Sequence, residues 1–206
     1  MGLELRSYLK PPIRLLGIRQ HLDDAYHDLF ESARKQVDII ALTSENLIRV
    51  YGPRLRSKIE NHPCDIRIMF LDVESELWAC RLRDESDYTH KDIRRILSES
   101  TDYFRKLSEE IEQNTDIKSN LDGSLSVRCF DDIPYFAYFR ADSKIIVGFY
   151  YSFTVGLKSH AILVDDKSSD LFRMLEKHFD ALWNRNQKEI VNITTWGAYR
   201  NSEEDD

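Results

Sequence analysis

The chain has 206 residues, 42% of them apolar and 32% charged, enough to bury one core, so a single domain is expected. Its net charge is -7, but Glu203, Glu204, Asp205 and Asp206 carry four of those charges, and the near-neutral body argues against a protein built to grip nucleic-acid backbone; contact through a local patch stays open. Scarce Gly (7) and Pro (5) exclude low-complexity chains, and the absence of a long apolar run or a secretory leader points to a cytoplasmic protein without membrane segments.

From His21 to Gln36, Leu22, Tyr26, Leu29, Phe30 and Ala33 recur at helical spacing and predict an amphipathic helix. Val37 to Leu42 follows as a short, buried strand. Thr43-Ser44-Glu45-Asn46 supplies loop and cap chemistry, and Pro53 suits the first turn of a helix from Arg54 to Asn61 that Pro63 ends. Asp65 to Asp72 alternates and then turns solidly apolar, as expected of a second strand parallel to the first.

Ser75 to Lys118 reads as a long solvated helix with a stripe of Ile93, Ile96, Leu97, Phe104, Leu107 and Ile111, broken near Ser86-Asp87. Asn120-Leu121-Asp122-Gly123 makes a turn. Beyond it the period drops to two, with strands predicted around Leu125 to Phe130, Tyr135 to Arg140, Lys144 to Tyr151 and His160 to Val164. Ala141-Asp142-Ser143 closes a hairpin between the middle two. A last amphipathic helix spans Ser168 to Asn186, and Ile190 to Ile193 with Trp196 has the pattern of an added edge strand. This order specifies an α/β fold, a mixed β-sheet flanked by helices.

Cys64, Cys80 and Cys129 are odd in number and lack Cys-x-x-Cys spacing, so reduced thiols are expected. The six histidines are scattered without ligand spacing, and no metal site or cofactor is expected. Glycine-rich phosphate loops, nucleophile elbows and zinc-protease motifs are absent. Carboxylates just past strand ends remain: Glu45 after the first strand, Asp72 and Glu74 after the second. They either face one crevice at the strands' carboxyl ends or cap helices.

The segment Tyr135-Phe-Ala137-Tyr-Phe-Arg140-Ala-Asp142-Ser-Lys144-Ile-Ile-Val-Gly148 resembles the hairpin of the phospholipase D superfamily, where a strand carrying His-x-Lys leads to an Asp at a turn and an apolar strand ending in Gly-Ser. Aligned on Asp142 and Gly148, the family's His falls at Tyr135 and its Lys at Ala137. Phe179 to Trp183 resembles the family's closing helix, and residues 37–74 resemble the opening β-α-β of its bacterial-type domains. The resemblance implies an N-terminal arm over 1–19, one phospholipase D-like unit over 20–186, and a C-terminal tail over 187–206 that ends acidic.

In that family the His attacks phosphorus, the Lys neutralises phosphate oxygens, and a second copy of the motif supplies the acid. A phenol with a pKa near 10 is a weak nucleophile at pH 7 and Ala carries no charge, so the standard phosphodiesterase mechanism is expected to be lost. The resemblance then implies a non-catalytic ligand-sensing, regulatory or assembly module, homodimeric because single-copy members pair. Arg140, Tyr150, Tyr151, Ser152, Lys158 and His160 crowd the ends of the hairpin and the next strand, a residue set that can hold a phosphate-containing or nucleotide ligand without cleaving it. The ligand-binding candidates are Glu45, Asp72, Tyr135, Arg140, Asp142 and His160. The alternative is a phosphodiesterase or nuclease using non-standard residues, with Asp142 and His160 as its catalytic groups beside Glu45.

Overall fold

Eight strands form one mixed sheet in the order β1-β7-β6-β5-β2-β3-β4-β8. In chain order they are β1 (Ile13–Ile18), β2 (Gln36–Ala41), β3 (Asp65–Leu71), β4 (Ser124–Phe130), β5 (Phe136–Ala141), β6 (Lys144–Phe149), β7 (His160–Val164) and β8 (Lys188–Ile193). Helices α1 (Asp23–Ser32), α2 (Glu45–Asn61), α3 (His90–Gln113) and α4 (Asp170–Arg185) accompany them. The computed structural model describes residues 13–43, 45–77, 89–114, 121–133, 135–151, 154–185 and 188–193. The expected α/β architecture is therefore present.

Strands β2, β3 and β4 run parallel at the centre, while β5 lies antiparallel against β2 and continues into the hairpin with β6. Covered on both faces, β2 and β3 are nearly unbroken apolar runs. Register sorts their side chains. Ile39 lies between Ile68 and Phe139, and this face meets α1, α2 and α3 through Tyr26, Tyr51 and the Phe70–Phe104 stack. On the opposite face Asp38 lies between Arg67 and Arg140, and Tyr138 stacks on Phe179 of α4. In β4, Leu125, Val127 and Cys129 are buried while Ser124, Ser126 and Arg128 are half-buried, the alternation of a strand with one dry face.

Helix α2 departs from the expected start at Pro53: it begins at Glu45 and carries Pro53 inside it. Leu47, Tyr51, Leu55 and Ile59 form one buried stripe through the proline, and this packing offsets the hydrogen bond the proline ring removes. Helix α3 opens on a reciprocal capping box between Thr89 and Asp92, which fixes its first turn. At the start of the long predicted helix the chain makes a turn instead, Asp72 to Ser75, with Ser75 N–H donating to Asp72 O at 3.0 Å. Residues 78–88, including Cys80, lie outside the described residues.

The stretch expected to be an arm contributes β1, which pairs antiparallel with β7. Its register shifts between Leu15 and Gly17, and Gly17 has φ of +106°. That irregularity breaks the two-residue period by which strands are read. At the other edge β8 pairs antiparallel with β4, where an added strand was expected. The turn before β4 needs Gly123, because a Cβ there would stand 2.5 Å from the Cys64 carbonyl oxygen and 2.7 Å from that of His62. Cys64 and Cys129 are buried free thiols, and burial pushes them up to about 11 and about 12. No helix among the described residues is long and apolar enough to cross a membrane.

Candidate binding cleft

At the carboxyl end of β2, on the face shared by α1 and α2, the sheet opens into a cleft of about 420 Å³. Its floor is made by the end of β2 and by Ala137 and Phe139 of β5. Tyr150 past β6 and the turn Val155 to Lys158 before β7 close one side, and Tyr26 of α1 with the first half of α2 close the other. Strand-end crevices where neighbouring connections diverge are the common ligand sites of open α/β sheets.

One cation reaches into this cleft from an unexpected place. Arg19 follows β1 in a single 3-10 turn, and its backbone N–H donates to Ser159 O at 2.9 Å. Its Nη1 donates to Gly156 O at 3.0 Å, and its guanidinium carbon stands 5.7 Å from the Tyr150 ring centroid. Its Nε is sealed from solvent and has no hydrogen-bond partner among the described residues. Gly148 makes this placement possible: a Cβ there would stand 2.5 Å from both Cδ and Nε of Arg19. Gly148 pairs across the hairpin with Ala137, so the guanidinium lies on the sheet beside the position that carries lysine in the phospholipase D pattern. Burial works against the Arg19 charge, but the phenol oxygens of Tyr150 and Tyr26 hold its pKa above the ordinary value. Burial also raises the Tyr26 phenol, against the pull of Arg19.

The six candidate residues do not gather there. Glu45, exposed at the start of α2, lines the cleft, as do Tyr150 and Lys158. Tyr135 is 63% exposed, with its ring 6.3 Å from that of His178. His160 is exposed at the start of β7, its ring 6.3 Å from that of Tyr151. Asp72 is held by Lys188 of β8, whose Nζ lies 2.7 and 2.6 Å from its two carboxylate oxygens, at the other end of the strand order. Asp142 closes the β5–β6 hairpin with φ of +49°. Its carboxylate accepts the backbone N–H groups of Arg34, Lys35 and Gln36 at 2.8, 2.9 and 2.9 Å, so it ties the hairpin turn to the start of β2.

Arg140 is buried on the opposite face in a network that its sequence position alone does not reveal. Asp38, with 0% exposure, receives Nε and Nη2 of Arg67 at 2.7 and 3.0 Å and Nη1 of Arg140 at 3.3 Å. Glu176 and Asp180 of α4 bind the far sides of Arg140 and Arg67 at 2.9 and 3.1 Å. Arg67 also lies over the Phe179 ring at 4.6 Å. Only its Asp38–Arg67 pair was legible: Val-Asp-Ile-Ile and Ile-Arg-Ile-Met each place one charge in an apolar strand, at positions that pair when the strands run parallel. Arg19 had no comparable signal, since only the fold brings β1 next to Gly148.

Among the described residues no group of three His, Cys, Asp or Glu could hold a metal ion, and the described cleft lining contains neither His nor Cys.

Solved structures share the fold at low identity. An archaeal chromatin protein, TrmBL2, whose structure shows a novel mode of DNA binding, matches with a TM-score of 0.52 and 8% identity over 92% of this chain and 57% of its own. Phosphatidylserine synthase from Haemophilus influenzae Rd KW20 matches with a TM-score of 0.56 and 15% identity over 86% of this chain and 40% of its own. The chain thus spans about half the length of these two structures. No curated protein matches in sequence. A family profile described as a domain of unknown function matches residues 17–202, and the chain belongs to that family, DUF5919.

Proposed function

We propose that this chain is a phospholipase D-like module that binds its ligand without cleaving it, serves as a sensing, regulatory or assembly unit, and works as a homodimer. The observation that carries this reading is the replacement of both chemical groups of the hairpin. Tyr135, at the nucleophile position, is exposed and not part of the cleft, and Ala137, at the lysine position, lines the cleft without a charge. A phosphohistidine mechanism needs an imidazole at the bound phosphorus, and the described lining offers none. The likeness to phosphatidylserine synthase supports the fold side of the reading, and the pairing is the expectation that the hairpin resemblance carries.

Two measurements test it. Bis(4-nitrophenyl) phosphate incubated with the protein, in chelator and in Mg²⁺ or Mn²⁺, is expected to release nitrophenolate no faster than buffer. Turnover that disappears in Asp142→Ala or His160→Ala would replace the binding module with a phosphodiesterase. Sedimentation equilibrium at micromolar concentration is expected to return twice the chain mass, and a monomer throughout would remove the pairing.

A further inference from the structure

We infer that Arg19 is the anion-binding residue of the cleft and that the ligand is a small phosphate ester with a ring-containing body. This rests on the reading of the cleft as a binding site. Arg14, Arg67, Arg128 and Arg140 also project from the sheet, and each has a carboxylate within ion-pair distance. Arg19 has none among the described residues. Its surroundings are two phenols, the Gly156 carbonyl and the bare backbone of Gly148. A guanidinium largely withdrawn from water without a counter-charge is costly, and an incoming anion removes that cost. The planar fork of arginine matches phosphate oxygens in pairs.

The rest of the cleft describes the ligand's body. Phe139, Tyr26 and Tyr150 provide aromatic surface, and a volume of about 420 Å³ lies within the range of small-ligand sites, roughly 300–1,000 Å³. Lys158 and Arg49 add positive charge at the lining. Asp23 and Glu45 also line it, and neither forms an ion pair with Arg19; their carboxylates suit hydroxyl or amine donors at the ligand's other end. A sugar or nucleoside phosphate has this distribution of groups. Arg19 thereby supplies, from β1, the positive charge that Ala137 lacks.

The test follows the Gly148 and Gly156 amide resonances of the full chain during titration with inorganic phosphate, glycerol phosphate, adenosine monophosphate and adenosine. Adenosine monophosphate is expected to bind more tightly than adenosine, and inorganic phosphate to compete with it. Arg19→Gln should weaken both phosphate and adenosine monophosphate by at least about tenfold, the loss of one charge-assisted contact. Gly148→Ala should do the same with the arginine still present, because the new Cβ displaces its side chain. Arg95→Gln, which removes an exposed partner of Glu99 on α3, should leave binding within twofold. Thermal melts confirm that the variants are folded. The inference is overturned if Arg19→Gln and Gly148→Ala bind both phosphates as the parent does, or if no phosphate compound shifts the cleft resonances. Binding of adenosine alone would leave the binding module standing without its anion site; conversion of the titrated ester to free phosphate would instead refute the non-catalytic reading. Glycerol phosphate binding as tightly as adenosine monophosphate would overturn the ring-containing body.

Discussion

Asp38→Ala is expected to lower the stability of the fold by about 3–5 kcal/mol, the range for removing one partner of a buried ion pair. Asp38 is buried on a central strand between two arginines. Burial pushes its carboxyl pKa up from the ordinary value, and the hydrogen bonds and charges of Arg67 and Arg140 oppose that push. Without the carboxylate, two guanidinium groups face each other across β2, beneath Phe172, Phe179 and Trp183 of α4. Glu176 and Asp180 remain, but their side chains are 30% and 47% exposed and bind only the outer sides of the arginines. Urea titration should show a lower midpoint at unchanged slope, and a loss below about 1 kcal/mol would contradict the account. Replacing the whole triad with Asp38→Leu, Arg67→Met and Arg140→Met should recover most of the loss, because no uncompensated charge then stays buried.

Asp142→Ala is the second large effect, expected to cost about 2 kcal/mol through three backbone N–H groups that lose a charged acceptor. Water reaches part of this site, which keeps the figure below that of Asp38. Asp142→Gly separates the two duties of the residue: glycine adopts φ of +49° without strain yet accepts nothing from Arg34, Lys35 or Gln36, so its cost measures the carboxylate. Partial burial works to raise the Asp142 carboxyl, but those three N–H groups together hold it below the ordinary carboxylate value. A depressed folded-state pKa gives stability that is complete above the unfolded pKa, about 3.9, and lost as pH falls through the folded one. The stability gap between the parent and Asp142→Asn should therefore be constant from pH 7 to about 5 and close at more acid pH. A gap that persists unchanged at the acid end would show that charge contributes nothing there.

The elements of this fold were legible where one physical rule acted alone. The parallel pair β2–β3 reads as two apolar runs, the hairpin as two strands around Ala141-Asp142-Ser143, and α3 as one apolar stripe. Where two rules competed, the pattern misled. Pro53 suits a first turn, but the stripe from Leu47 to Ile59 continued the helix through it. In β1 the bulge at Gly17 broke the alternation. The site was harder still, because the ends of neighbouring strands meet different partners. Asp72 and Glu45 follow adjacent parallel strands, yet Asp72 turns to β8 while Glu45 borders the cleft. The guanidinium beside Ala137 comes from residue 19, and no spacing in the chain links the two before the sheet is assembled.

What defines the proposed module is a cleft that holds a phosphate group without breaking a bond to phosphorus. Phosphorus NMR of a dinucleoside phosphate, incubated with stoichiometric protein in the presence and absence of Mg²⁺, tests it most directly. The diester resonance is expected to persist, with no phosphomonoester, free phosphate or phosphoprotein signal growing over days. A protein-dependent monoester or phosphoprotein resonance would contradict it.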